Sequence, residues 1–149
     1  MNKNKKQLKS AGLLIIYNNK FLLAHQRGRK KDEGYGIPKG LIDKKETILE
    51  AAIRETNEEL GLTVPKELID TSKLFKFEVN TYKYNKTVYY YNVLINNLKQ
   101  IGLNTEIIPV SNLQIDEIDE ARFMDITEAL SKITKSQKNI LNNNKYENN

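Results

Sequence analysis

Three glutamates, Glu55, Glu58 and Glu59, occupy the i, i+3 and i+4 positions of a stretch, TILEAAIRETNEELG (47–61), that reads as helix. Side chains at those spacings are neighbours on one helical surface, so three like charges repel there unless a cation offsets them. Carboxylate oxygens suit hard divalent ions. Rival metal chemistry is scarce, because the chain has no cysteine and a single histidine, His25. That excludes disulfides, thiolate sites and a cysteine nucleophile, and leaves Mg²⁺, Mn²⁺ or Ca²⁺ on oxygen ligands. Alone, the three glutamates read more simply as a solvated acidic face; the surrounding residues decide otherwise.

The helix that must position them is well signalled. Thr47 is an N-cap residue, Glu50 three positions on completes a capping box, and Gly61 stands where a left-handed terminator is wanted. Leu49, Ala52, Ile53, Thr56 and Leu60 form an apolar stripe at helical spacing. Glu55 and Glu59 border that stripe and Glu58 lies farther round, which aims the cluster at a cleft wall. Upstream, AGLLIIY (11–17) and KFLLAH (20–25) flank Asn18-Asn19 and predict a β-hairpin. Residues 26–36 read as a basic, glycine-containing loop, and Ile37 before Pro38 is extended. A short helix or turn is expected at 65–69. Residues 73–80 and 86–96 predict two antiparallel strands with a turn near Tyr84-Asn85-Lys86, and Phe75, Phe77, Tyr89 and Tyr91 alternate as sheet-packing residues do. A strand over 120–124 and helices over 126–133 and 136–142 complete an α/β domain around a mixed sheet. Residues 1–9 and 142–149 read as loose polar termini around one domain at 10–141.

Gly40 to Leu62, GLIDKKETILEAAIRETNEELGL, resembles the Nudix box: glycine, five residues, glutamate, seven residues, arginine-glutamate, an apolar residue, any residue, glutamate-glutamate, any residue, glycine, an apolar residue. The match falls at Gly40, Glu46, Arg54, Glu55, Glu58, Glu59, Gly61 and Leu62. Its fixed letters coincide by chance on the order of once in a hundred million start positions. Thr56 stands where an aliphatic residue is usual, and its methyl can pack on the stripe. The preceding Tyr35-Gly36-Ile37-Pro38-Lys39-Gly40 is similar to the entry stretch of a subgroup that includes dinucleoside-polyphosphate hydrolases. The resemblance spans roughly residues 10–130 and implies a Nudix-type α/β/α sandwich and a metal-dependent pyrophosphohydrolase. It further implies Glu55, Glu58 and Glu59 as Mg²⁺ ligands, helped by the Gly40 carbonyl, with Mn²⁺ able to substitute, and Arg54 as the residue that orients a catalytic glutamate.

Other residues carry weaker signals. Glu46 either complements the helix dipole or reaches the metal shell. The run Asp116-Glu117-Ile118-Asp119-Glu120 is a solvated acidic loop or supplies Glu117 as a further ligand or general base. Lys39 and Arg27 are placed to meet substrate phosphate or are plain surface charge; Tyr35 is placed to stack on a base or packs in the fold. His25, ending an apolar strand, reads as structural.

The net charge of +5, with Arg27, Arg29, Lys30 and Lys31 clustered, suits a polyanionic partner as well as ordinary surface charge. Three functions follow: hydrolysis of small nucleotides, removal of a diphosphate from an RNA 5′ end, or a catalytically inactive nucleotide- or protein-binding module. The intact box argues against the last. The longest apolar run is strand-sized and the N-terminus lacks a signal-like apolar segment, so a cytoplasmic protein with no membrane partner, monomeric or homodimeric, is expected.

Overall fold

The computed structural model describes residues 5–144. A hairpin opens the fold. Strand β1 (Lys6–Tyr17) turns at Asn18-Asn19 into β2 (Lys20–Gln26), with Ile16 opposite Phe21 and Tyr17 opposite Lys20. Both asparagines have positive φ, 51° and 62°, which the two-residue hairpin turn requires and asparagine tolerates better than most residues. β1 begins inside the segment read as a loose N-terminus: Lys6 to Lys9 pair in register with residues 84–87. Residues 1–4 and 145–149 of the expected loose ends lie outside the described residues.

Two short strands follow, β3 (Tyr35–Gly36) and β4 (Lys39–Leu41), then helix α1 (Ile48–Leu60), strands β5 (Phe75–Asn80), β6 (Tyr84–Ile95) and β7 (Ile118–Met124), and helices α2 (Ile126–Lys132) and α3 (Lys138–Asn144). The β5–β6 turn lies at residues 81–83, not at 84–86 as the sequence suggested, and Tyr84, Asn85 and Lys86 belong to β6. Thr81 closes this turn: its backbone N–H and hydroxyl both donate to the Tyr84 carbonyl. A 3₁₀ turn at Lys66–Leu68 occupies the short helix expected near 65–69.

The sheet is mixed. β1 runs parallel to β6 over its full length, and the other pairings are antiparallel, in the order β3-β2-β1-β6-β5 with β7 on β2 and β4 on β1. These registers reveal a split. β6 covers one edge of β1, so β2 and β4 share the other, β2 at Ile16–Tyr17 and β4 at Ser10–Gly12. β7 likewise covers one edge of β2, and β3 joins β1 on the opposite edge, at Ala24–His25. β1 and β2 therefore diverge beyond their hairpin, and Ile37-Pro38 crosses the gap. The Pro38 carbonyl lies so close over Gly12 that a Cβ there would sit 2.1 Å from it; glycine permits this backbone approach.

Alternation along β1 fills both faces, as a strand dictates. Leu13 and Ile15 join Leu22, Ala51, Ala52 and Leu60 in one core beneath α1, while Leu14 and Ile16 join Phe21, Tyr90, Ile140 and Leu141 in a second beneath α2 and α3. The result is the expected α/β/α sandwich. Phe75 and Phe77 flank Tyr90 in the second core, and Tyr91 belongs to the first. Among the described residues no helix is long and apolar enough to cross a membrane.

Candidate active site

Helix α1 carries the site and forms as the sequence indicates. The Thr47 hydroxyl accepts from Glu50 N at 3.1 Å, the Glu50 carboxylate accepts from Thr47 N at 2.9 Å, and Gly61 adopts φ 59°. Thr56 is fully buried on the packed face. Glu59, in the last turn of the helix, is 6% exposed, whereas the Glu58 side chain is 51% exposed. The wheel position of Glu58, farther from the stripe, is realised.

Arg54 organises the carboxylates. Its Nε donates to Glu46 Oε2 at 2.6 Å and its Nη2 to Glu46 Oε1 at 2.7 Å, a bidentate fork. Nη1 donates to Glu55 Oε1 at 2.8 Å and to Glu58 Oε2 at 3.3 Å, and Nη2 also reaches the Leu41 carbonyl at 3.1 Å. Hydrogen bonds from Arg54 hold Glu46 at about 2, far below an ordinary carboxyl. Glu46 clamps the arginine, a role its sequence position did not suggest. Arg54 thus bridges Glu46 to two of the helix glutamates, Glu55 and Glu58.

Gly40 and Glu55 interlock. A Cβ on Gly40 would lie 2.0 Å from Glu55 Oε2, so the carboxylate occupies the volume of the missing side chain. Burial raises the Glu55 pKa against the pull of Arg54. Burial also raises Glu59 well above the ordinary carboxylate range, opposed by the Lys39 charge and by the Lys39 backbone N–H, which donates to Glu59 Oε1 at 3.2 Å. Lys39 is shifted the other way: burial lowers it while Glu59 and Glu117 pull it up.

Two cavities adjoin this cluster. The first, about 350 Å³, is lined by Arg27, Lys39, Glu59, Asp116, Glu117 and Gln137 among others. The second, about 390 Å³, is lined by Ser10, Lys39, Gly40, Glu55, Tyr84, Lys86 and Glu117 among others. Lys39 and Glu117 line both. Seven of the nine proposed site residues (Arg27, Lys39, Gly40, Glu55, Glu59, Glu117, and Arg54 through its bond to Glu55) are therefore brought together. Glu58 joins through Arg54 and lines neither cavity. Of the two readings of Tyr35, the base-stacking platform is overturned and packing in the fold holds. Tyr35 is 3% exposed in the second core, its ring packs on His25 at 4.8 Å, and its hydroxyl donates to Glu120. Arg27 is exposed, with Nε donating to the Ile115 carbonyl at 2.5 Å.

Sequence reasoning missed Lys86 and Gln137. Lys86 shares a strand face with Val88 and Tyr90, so a cation at a period-two apolar position was the available signal; the misplaced turn hid it. Gln137 is buried, and its Oε1 accepts from Ile37 N at 2.9 Å across a hundred residues of sequence. No local pattern marks such a contact.

Among the described residues no three carboxylate or imidazole groups converge enough to hold an ion as they stand; Glu55 and Glu58 are turned to Arg54. The donor chemistry nevertheless fits a hard divalent cation: all-oxygen ligands, a buried carboxylate at Glu59 and the side-chain-free cradle at Gly40.

A family model for the NUDIX domain matches residues 6–143. The chain belongs to the Nudix family. It is thereby a hydrolase of pyrophosphate bonds, and enzymes of this family generally act with a divalent metal on nucleotide substrates. Its fold is similar to C. elegans Ap4A hydrolase in a binary complex, at 24% identity and TM-score 0.70, covering 94% of this chain and 96% of that one. A second structure of C. elegans Ap4A hydrolase shares 26% identity with TM-score 0.60, covering 83% of each chain. A MutT protein from Methanosarcina mazei Go1 is similar in fold at 16% identity and TM-score 0.70, covering 97% and 96%. No curated protein matches the chain.

Proposed function

We propose that this Nudix hydrolase cleaves a diphosphate linkage in a small nucleotide, foremost a dinucleoside polyphosphate or a nucleoside triphosphate, with Mg²⁺ bound and Mn²⁺ able to replace it. The observation that carries the reading is the pair of cavities meeting at Lys39 and Glu117 beside the α1 glutamates. A substrate with groups on both sides of its scissile phosphate fits such a cleft. The likeness to C. elegans Ap4A hydrolase supports the same choice.

In this reading Glu55, Glu58, Glu59 and the Gly40 carbonyl hold the cation. When bound, such an ion neutralises phosphate charge and lowers the pKa of coordinated water. Arg54 holds Glu55 in place and is itself held by Glu46. Lys39, Arg27 and Lys86 face the phosphate chain as cations. Glu117, at the junction of the cavities, serves as an added ligand or as the general base.

An RNA 5′ end is the second reading, favoured by the exposed run Arg27, Arg29, Lys30 and Lys31 beside the first cavity. Hydrolysis of a dinucleoside tetraphosphate, a nucleoside triphosphate and 5′-triphosphate RNA, measured with Mg²⁺ across a salt series, separates the two. A kcat/KM at least about tenfold higher on one of the free nucleotides, with shallow salt dependence, is expected. Preference for RNA, falling steeply with salt, would reverse the choice. No turnover of any of them would revive the inactive-module reading.

A further inference from the structure

His25 is 4% exposed, and both ring nitrogens have partners. Nδ1 lies 2.6 Å from Asp119 Oδ1 and Nε2 lies 2.7 Å from the Lys30 carbonyl. A carbonyl only accepts, so Nε2 carries a proton. An ionised carboxylate only accepts, so Nδ1 carries one too. The Asp119 side chain is 32% exposed. The contacts therefore define an imidazolium. The charged and titratable groups around it agree: Asp119 and Glu120 face it from β7, and Tyr35, which bonds Glu120, packs on it from β3. Arg122 lies beyond, paired with Glu120 and Glu128. Burial alone lowers the pKa of the ring, but the Lys30 carbonyl and Asp119 together raise it above 6.5.

The two partners belong to two chain segments that both contribute to the lining of the first cavity. Lys30 sits in the loop that begins with Arg27, and Asp119 follows Glu117 by two residues. Both Arg27 and Glu117 line the first cavity. The same seam is closed by Arg27 N, which donates to the Glu117 carbonyl at 2.8 Å. β2 and β7 slip register between His25 and Gln26, so the ladder alone does not set this spacing. We propose that His25 is a positioning residue for hydrolysis: as an imidazolium it ties the Arg27 loop to the Glu117 segment and so fixes the wall of the first cavity. This rests on the reading of that cavity as a substrate site. A neutral imidazole has one N–H for two acceptors, so deprotonation releases one of the two segments.

His25 is the chain's one histidine, so its ring signals need no assignment. In ¹⁵N-labelled full-length protein both ring nitrogens are expected to be protonated at pH 7. Asp119→Asn keeps the shape, removes the charge and should lower the titration midpoint, and its amide accepts from a protonated Nδ1 or donates to a bare one, so both ties survive deprotonation. Relative to wild type, its kcat/KM should be near unity below the wild-type midpoint and rise on the order of tenfold above it, mainly through KM, with an inflection where the wild-type ring titrates. One unprotonated ring nitrogen in the wild type at pH 7 overturns the proposal. So does a kcat/KM ratio flat in pH while the midpoint has moved, which is the behaviour of a purely structural contact. Arg27→Ala distinguishes the failure of the underlying reading: full activity in that variant, with the ring signals as expected, shows that the first cavity does not receive substrate.

Discussion

At the scale of single residues, the tightest constraint is the shared volume of Gly40 and Glu55. Gly40 does not have positive φ, so its lack of a side chain answers to space and not to backbone strain. Alanine there would place a Cβ 2.0 Å from Glu55 Oε2, and the carboxylate must move. Displacements near an ångström at a reacting centre cost roughly a hundredfold in rate. Gly40→Ala is accordingly expected to lower kcat by roughly a hundredfold while leaving the thermal midpoint within a few degrees; unchanged kcat would show that Glu55 needs no fixed position. Glycine and glutamate were both legible as box positions. That one fills the space left by the other was not, because the contact forms only when β4 is laid against α1.

At the scale of elements, α1 was the most readable part of the chain, since its cap, stripe and terminator are local and agree with one another. The segment ahead of it was harder. Glu46 and Arg54 are close in sequence, yet their fork depends on how residues 42–47 fold back over the helix. The start of strand β6 was read two residues late, because Tyr84-Asn85-Lys86 has turn-like composition while pairing with β1 overrides that preference; the error concealed Lys86. The Glu46–Arg54 fork has a measurable consequence. Glu46 titrates near 2 in the fold against an ordinary 4.5, so on acidification the unfolded chain takes up the proton first. The fork's contribution is present above about 4.5 and is lost as pH falls towards about 2. Thermal midpoints of the metal-free protein should fall across that window, and the fall should be shallower in Glu46→Gln. It should not vanish, because Glu128, held by Arg122, is likewise depressed to about 2. Parallel curves for the two proteins would show that the fork adds nothing to stability.

At the scale of the whole molecule, the split between β1 and β2 explains why a site exists. The strands separate, Tyr35 to Leu41 crosses between them, and the opening is lined by Glu59 of α1, by Asp116 to Ile118 and by Thr134 and Gln137. The hairpin, the helix and the two-faced burial of β1 could be foreseen from patterns of period two and 3.6. The split could not, because it depends on which edges β3 and β4 find. For the same reason the sequence left Tyr35 open between a stacking platform and a packed residue, which the fold makes it, and gave no sign of Gln137. The proposed chemistry requires the α1 glutamates to hold a divalent cation against a diphosphate. It is tested most directly by Mg²⁺-dependent release of product from the preferred nucleotide by wild type, Glu58→Gln and Glu59→Gln. The expected result is turnover that EDTA abolishes and Mg²⁺ restores in the wild type, with each variant slower by at least about a hundredfold though still folded. Metal-independent turnover, or full activity in both variants, would contradict the account.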